Sequence, residues 1–148
     1  MSESSPEFGL ALDEQLCFAV YAASRAVTAR YRPLLGRLGL TYPQYLVMLV
    51  LWEGRSVSVS ALGERLQLDS GTLSPLLKRL EGLGLIERRR RVDDERSVEV
   101  SLSETGLRMR EDAACVPGQI AEAMGLSAGQ LSGLRDSLLA LGEHLRAD

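Results

Sequence analysis

Small polar side chains occur together in one stretch of this chain and could hydrogen-bond to the edges of DNA bases. Ser70, Thr72 and Ser74 lie on the first turns of a predicted helix, and Lys78 and Arg79 follow on its later turns. Small hydroxyl side chains let a helix enter the major groove, and basic side chains bind phosphates. The stretch therefore predicts a helix that contacts DNA, although Ser70 has an alternative role as a helix cap.

A second basic cluster follows this helix. It consists of four consecutive arginines at 88–91 and of Arg96. Neighbouring side chains on a strand point to opposite faces, so only alternate residues reach phosphates, and Arg88 and Arg90 are the predicted contacts. A solvated charge run is the alternative interpretation. The whole chain has a net charge of −3 and a pI of about 5.3, but local charge matters more for DNA binding than the total.

The elements that must position these residues form a helix-turn-helix followed by a two-stranded wing. An apolar helix over residues 61–66 ends at the Leu68-Asp69 break, and the second helix begins directly after it. The apolar side of this second helix consists of Leu73, Leu76, Leu77 and Leu80. That spacing continues past Pro75, so we expect a mild bend there and no break. Strands 85–89 and 97–102 flank a charged tip and form the wing.

Before this module the sequence predicts three helices, at residues 13–31, 34–38 and 42–52. Asp13 caps the first helix, and Pro33 separates it from the second. The third helix begins at a capping box formed by Thr41 and Gln44. It is apolar nearly all round, so we expect it to be buried between other elements.

After the module, a helix that begins at Ser103 is interrupted near Pro117-Gly118, and Ser127 begins the last helix. Five leucines repeat on one side of that helix: Leu131, Leu134, Leu138, Leu141 and Leu145. We expect them to pack against the first helix and a second subunit, and an intramolecular core is the alternative. The predicted fold is mainly α with a small β-wing. N-terminal dimerisation helices at residues 1–40 and C-terminal dimerisation helices at residues 104–148 flank a winged helix-turn-helix at residues 41–103.

Composition argues against several classes of protein. The chain has 148 residues, of which 45% are hydrophobic and 25% are charged, as in an ordinary globular protein. Its apolar runs are too short to span a membrane, and its first residues lack a secretory signal, so we expect a cytoplasmic protein. Two distant cysteines and one histidine do not form a zinc site. We therefore expect no metal, no cofactor and no enzymatic activity.

Five stretches together carry a family resemblance: EQLCF at 14–18, YRPLL at 31–35, LTYPQY at 40–45, LDSGTLSPLLKRL at 68–80 and DDERS at 93–97. They resemble the MarR family of dimeric winged-helix repressors, and within it the organic hydroperoxide resistance regulators (OhrR). The resemblance implies a homodimer that binds a double-stranded, pseudo-palindromic operator when reduced. It also implies release from that operator when an organic hydroperoxide oxidises the protein.

The same resemblance implies a sensor site. Cys17 matches the peroxide-sensing cysteine, Tyr31 and Tyr42 match two tyrosines that hydrogen-bond its sulfur across the dimer interface, and Tyr21 and Phe18 fall near the pocket. A thiolate is the form of cysteine that attacks a peroxide, and phenolic hydroxyls favour that charged form. The apolar neighbours of Cys17 would suit a lipophilic organic peroxide. Without the resemblance, a single cysteine on an apolar helix is usually an inert core residue.

On the DNA side, the resemblance implies that the recognition helix uses Ser70, Thr72, Ser74, Pro75 and Lys78. It also places two residues at the wing tip. Arg96 enters the minor groove, and Asp94 helps to orient it.

Cys115 lies just before Pro117, in a region where some of these regulators carry a second, resolving cysteine. A spectator thiol is the alternative.

Three other functions stay open. A MarR-type regulator released by a non-covalent phenolic ligand would keep its response in a Cys17→Ser variant. A thiol peroxidase would need a residue that polarises the peroxide, for which Arg25 and Arg30 are candidates only by sequence proximity. A protein-interaction module is the third.

Overall fold

The computed structural model describes residues 9–93 and 97–147, and it confirms the prediction of a mainly helical chain with a small β-wing. Its helices are α1 (Leu16–Gly36), α2 (Tyr42–Gly54), α3 (Val59–Leu66), α4 (Ser70–Gly82), α5 (Glu104–Ala113), α6 (Val116–Met124) and α7 (Ala128–Arg146). A 3-10 turn, Leu12–Glu14, precedes α1. The strands are β1 (Ser56–Ser58), β2 (Ile86–Arg90) and β3 (Val98–Leu102).

The wing is part of a three-stranded antiparallel sheet in the order β1-β3-β2. Both predicted strands are present, and Arg88 of β2 lies opposite Val100 of β3. The third strand, β1, was not predicted because its three residues are too few to show alternation. It pairs with β3 and leads directly into α3, so the wing is joined to the helix-turn-helix through the backbone.

Helix α2 forms the centre of the core. Its residues Val47, Met48 and Leu51 are completely buried, as the apolar pattern predicted. Leucines of the helix-turn-helix belong to the same cluster: Leu62, Leu73, Leu77 and Leu80. The prediction of burial is wrong along one side of α2, where Leu49 stays 37% exposed and Leu46 is only partly covered. Packing on α2 holds α4 with its polar side outward.

Two predictions about the first helix are wrong. Gln15, not Asp13, is the N-terminal flanking residue of α1, because Asp13 belongs to the preceding 3-10 turn. Pro33 does not interrupt α1, which continues to Gly36. A proline removes only one backbone hydrogen bond. Leu35, two residues later, is almost completely buried and holds this last turn against the core.

The C-terminal helices follow the predicted order with one shift. The break lies at residues 114–115 and not at Pro117-Gly118, because Pro117 falls in the first turn of α6. A proline is tolerated there, since amides of the first turn have no partner within the helix. The capping boxes at Thr41 and Ser127 are confirmed.

Helices α1 and α7 expose much of their apolar surface. Helix α7 contains no buried residue, and Leu134, Leu138 and Leu145 are 50%, 43% and 75% exposed. The alternative of an intramolecular core for this leucine stripe is therefore wrong. In α1, residues 16–26 are exposed except for Val20, which is partly covered. No helix within the described residues is both long and apolar enough to cross a membrane.

Candidate functional site

Helix α4 presents its polar side to solvent because its apolar side is part of the core. Leu73 and Leu77 are buried, and Ser70, Ser74 and Lys78 follow one another at the four-residue spacing of a single helix side. The six predicted DNA contacts of this helix are all exposed: Ser70, Thr72, Ser74, Pro75, Lys78 and Arg79. Pro75 lies inside the helix, which continues to Gly82.

Asp69 fixes the start of α4. Its carboxylate accepts a hydrogen bond from the backbone amide of Thr72, with an N–O distance of 2.7 Å. This bond, followed by one from the Thr72 hydroxyl, lowers the pKa of Asp69. The alternative role of Ser70 as the cap is wrong. The Ser70 hydroxyl is left for other partners, whereas the Thr72 hydroxyl is held by the cap.

Three of the four consecutive wing arginines form ion pairs within the chain. The pairs are Arg88–Glu81, Arg89–Glu87 and Arg91–Glu99. Arg88 reaches Glu81 through two hydrogen bonds of 3.2 and 3.3 Å, and they lower the pKa of that carboxyl. Arg90 is exposed and has no ion-pair partner among the described residues. The predicted wing-tip contacts Asp94 and Arg96 lie outside the described residues.

An open concavity of about 940 Å³ lies between α3, α4 and the wing. Ser70 and Ser74 line it from α4, and Arg88 and Val98 line it from the wing. At its edge, the guanidinium of Arg146 donates a hydrogen bond to the Gln67 side chain, with an N–O distance of 2.8 Å. Polar and basic side chains therefore line this groove beside apolar ones such as Val59 and Leu73, and winged helices hold a DNA backbone between a helix and a wing.

Cys17 lies on the first turn of α1, and its side chain is exposed. Its neighbours Leu16 and Phe18 are 65% and 43% exposed. Tyr21 follows one turn later on the same side of the helix, and the Arg25 guanidinium lies 5.6 Å from the centre of its ring. The thiol therefore stands on an apolar surface that the described part of the chain leaves uncovered.

Tyr31 and Tyr42 are brought together, and the structure adds Tyr45, which the sequence reasoning did not assign. The ring centroids of Tyr31 lie 4.8 Å from those of Tyr42 and 5.7 Å from those of Tyr45. Burial, and then the two neighbouring phenols, raise the pKa of Tyr31 to about 12. Burial also raises the pKa of Tyr42 and of Tyr45. The three phenols therefore keep their protons and can donate hydrogen bonds to an anion.

Cys17 and these phenols cannot meet within one chain. Cys17 and Tyr31 belong to the same continuous helix α1, and fourteen residues of helix span about 21 Å. A thiolate of one copy can contact the tyrosines only if they come from another copy. Tyr21, by contrast, is close to Cys17 in the same chain.

Cys115 lies between α5 and α6 and is exposed. Its thiol is directed at the backbone carbonyl oxygen of Asp112, at 3.9 Å. Exposure leaves the sulfur accessible to another thiol or sulfenic acid, and the structure of one chain places no such group beside it.

Comparison with known proteins identifies the family. The family model for the transcriptional regulators SarA and Rot matches residues 30–112. The organic hydroperoxide resistance transcriptional regulator of Bacillus subtilis (strain 168) is 49% identical over 134 residues, which cover 90% of this chain and 91% of that protein.

Two solved structures of a staphylococcal regulator, AbfR of Staphylococcus epidermidis, have the same fold. Reduced AbfR bound to DNA is 34% identical, with a TM-score of 0.75, and the match covers 92% of this chain and 95% of that one. Disulfide-formed AbfR is 35% identical, with a TM-score of 0.63, over 88% of this chain and 91% of that one. The present chain is thus less similar in shape to the disulfide-formed structure than to the reduced, DNA-bound one, and overoxidized AbfR bound to DNA has the same TM-score of 0.75 as the reduced form.

Proposed function

Because the chain belongs to the MarR family of winged-helix transcriptional regulators, among the organic hydroperoxide resistance regulators, we propose that it is a redox-sensing repressor. It binds operator DNA when Cys17 is reduced and leaves it when an organic hydroperoxide oxidises that residue. One observation carries the proposal. The exposed Cys17 and the protonated phenol of Tyr31 lie about 21 Å apart along α1, so the thiol can contact such a phenol only on a second copy.

The DNA-binding unit of the proposal is a homodimer. The exposed apolar side chains of α1 and α7 support this, because apolar residues that lie together on a surface mark interaction sites. Two copies of α4 would lie about one DNA turn, roughly 34 Å, apart on the operator. The proposed contacts are the exposed polar residues of α4, Arg90 of the wing, and Asp94 and Arg96 at its tip. Arg88 contributes only if it leaves Glu81.

The sensor reaction follows from the phenols. Tyr31 and Tyr42 of one copy donate hydrogen bonds to the Cys17 sulfur of the other and favour its thiolate. The thiolate attacks the terminal oxygen of the hydroperoxide, the O–O bond breaks, and the alkoxide leaves and takes a proton to become an alcohol. Cys17 is then a sulfenic acid. Phe18 and Tyr21 supply the apolar surroundings that favour an organic peroxide.

Release from DNA follows from the loss of those hydrogen bonds. A second thiol condenses with the sulfenic acid, a disulfide forms and water leaves. We propose Cys115 of the partner as that thiol, with a small cellular thiol as the other candidate. The sulfur moves away from the phenols, α1 shifts against its partner, and the two α4 helices no longer fit successive major grooves.

A gel-shift titration on the DNA upstream of the gene tests this function. Reduced protein should bind, and one equivalent of cumene hydroperoxide per Cys17 should release it. Cys17→Ser should bind and stay bound. Cys115→Ser reports the resolving step, since it should still react but stop at the sulfenic acid. With a reducing thiol present, peroxide consumption should slow sharply after one equivalent per Cys17, whereas a peroxidase would be reduced by that thiol and would turn over rapidly.

If Cys17→Ser is released as readily as the unmodified protein, the sensor assignment is wrong and a non-covalent ligand becomes the better explanation. If the reduced protein does not bind this DNA at low salt, the repressor function itself fails.

A further inference from the structure

The segment before α1 is folded onto itself although its apolar side chains contact solvent. The Gln15 side-chain amide donates hydrogen bonds to the carbonyl oxygens of Gly9 and Ala11, at 2.9 and 3.0 Å. Leu10 is completely exposed, and Leu12 is 59% exposed. We refer to residues 9–15 as the N-terminal hook. Apolar side chains that lie exposed beside one another mark interaction surfaces, so the two outward leucines of the hook favour a surface that covers them.

Such a surface exists beside the tyrosines. A groove of about 530 Å³ runs between α2, α3, α5 and the start of α6. Leu46 and Leu49 of α2 line it, together with Pro117 of α6. Tyr45 lines it as well, and its ring is 5.7 Å from that of Tyr31. The groove is therefore continuous with the cluster of phenols that is proposed to receive Cys17.

The charges of the two surfaces are complementary. The hook contains Asp13 and Glu14, and the groove contains Arg65 and Arg110 together with one carboxylate, that of Glu53. Arg65 is paired with Glu53, whereas Arg110 has no ion-pair partner among the described residues. An acidic apolar segment and a basic apolar groove attract each other.

A hook cannot reach the groove of its own chain. It precedes Cys17, which is about 21 Å along α1 from Tyr31, and the N-terminal half of α1 projects into solvent. We propose that the hook of one copy occupies this groove on its partner, with its leucines on Leu46 and Leu49 and with Asp13 facing Arg110. The inference rests on the homodimer of the proposed function. It adds a second contact, which holds the first turn of α1, and with it Cys17, over the partner's phenols.

Disulfide trapping tests the contact. Both native cysteines are removed from the full chain by Cys17→Ser and Cys115→Ser, and Leu12→Cys and Leu49→Cys are introduced. Mild oxidation should join position 12 of one copy to position 49 of the other, so most of this variant should run as a covalent dimer on a non-reducing gel. The matched control combines Leu12→Cys with Leu83→Cys, because Leu83 is 54% exposed and lies outside the groove. Leu12→Cys alone controls for hook-to-hook bonding.

Light scattering on the same samples distinguishes the hook contact from the proposed homodimer on which it rests. Samples that are dimeric but cross-link no faster than the controls would overturn the hook contact and leave the proposed dimer intact. Monomeric samples would overturn both.

Charge exchange tests the pairing. Arg110→Glu and Asp13→Arg should each slow the Leu12–Leu49 cross-link about threefold, as expected for an exposed ion pair. The two changes together should restore the rate. A double variant that is slower than either single variant would show that Asp13 does not face Arg110. The Arg108→Glu variant, in which an arginine two residues earlier is reversed, controls for the change in net charge.

Discussion

The three packed tyrosines are at least partly buried, whereas Cys17 is exposed. Burial and mutual proximity raise the pKa of Tyr31 to about 12, so its hydroxyl stays a donor at any physiological pH. A hydrogen bond from a neutral phenol to a thiolate stabilises the anion without bringing in a charge of its own. The reactivity of Cys17 should therefore depend on hydroxyl groups that lie on the other subunit.

This argument predicts the effect of removing those hydroxyls. Tyr31→Phe and Tyr42→Phe should each slow alkylation of Cys17 about tenfold near neutral pH, because a hydrogen bond to a charged group contributes about 1.5 kcal/mol or more. Alkylation by iodoacetamide, followed by mass spectrometry, measures the rate. Cys115 in the same sample is the internal control, and its rate should not change. Equal rates at Cys17 in all three proteins would exclude the phenols as donors.

The wing arginines differ in whether they have an ion-pair partner within the described part of the chain. Arg89 is held by Glu87, whereas Arg90 has no ion-pair partner among the described residues. Arg90→Ala should weaken operator binding and reduce the slope of log affinity against log salt concentration by about 0.9 for each lost contact. Arg89→Ala is the matched control and should have a smaller effect. Fluorescence anisotropy at several salt concentrations measures both, and equal slopes would contradict the assignment.

The residues of the candidate site were predictable to different degrees. Cys17, Tyr31 and Tyr42 were assigned to the sensor site because their motifs resemble a known family, and these roles stay predictions. Tyr45 belongs to one of those motifs, yet no pattern showed that its ring would pack on the other two. The ion pairs of the wing were also missed, since they depend on which strand face each arginine occupies and on the distance to α4.

At the scale of elements, a side chain caps each helix of the helix-turn-helix, Ser58 at α3 and Asp69 at α4. Asp69 accepts the Thr72 amide at the start of α4, and its pKa is lowered by that bond. A carboxyl with a lowered folded-state pKa stabilises the fold above its unfolded value, near 3.9, and this contribution is lost as the pH falls through the folded-state value. Below about pH 4 the cap weakens.

Two substitutions of Asp69 separate the cap from its charge. Asp69→Ala should lower the free energy of unfolding at pH 7, whereas Asp69→Asn should lower it much less, because asparagine is also a good N-cap residue. Urea unfolding at pH 7 and pH 3 checks this. The difference between the unmodified protein and Asp69→Asn should be smaller at pH 3 than at pH 7. An Asp69→Ala protein as stable as the unmodified one would show that the cap is not needed.

The wing and α5 meet at a glycine. A Cβ atom at Gly106 would lie 2.1 Å from the carbonyl oxygen of Leu85, and the Gly106 carbonyl oxygen accepts a hydrogen bond from the Trp52 indole at 2.9 Å. Gly106→Ala should therefore destabilise the fold by about 1–3 kcal/mol. Trp52 fluorescence during denaturation measures it. The control is Gly118→Ala, where the added Cβ meets nothing within 4 Å and should cause no loss.

Element boundaries show where patterns in the sequence are weak. Capping boxes predicted two helix starts to the residue, because the signal lies in two side chains that bond to the backbone. Pro33 was read as a break, although packing of the following residues carries α1 through it. Strand β1 has three residues and contains no periodicity that could be detected.

For the whole molecule, the apolar surface decides how many chains form the functional unit. The leucine stripe of α7 was visible in the sequence, but whether it packs inside one chain or between two was not, since both use the same helical spacing. In the structure Leu138 is 43% exposed and Leu134 is 50% exposed. A stripe that remains exposed after folding is available to a second copy.

A charge placed in this stripe should separate the subunits and weaken DNA binding with no direct change to α4. Leu138→Asp should be monomeric in light scattering at micromolar concentration, because an unpaired carboxylate would be buried at the interface. Its operator affinity should fall at least about a hundredfold, since linked half-sites gain roughly that factor from binding together. Leu83→Asp is the control, because Leu83 is 54% exposed and directly follows α4, outside α1 and α7. It should remain dimeric. A dimeric Leu138→Asp that still releases DNA on oxidation would show that α7 is not the interface, and the subunits would then have to meet through α1 alone.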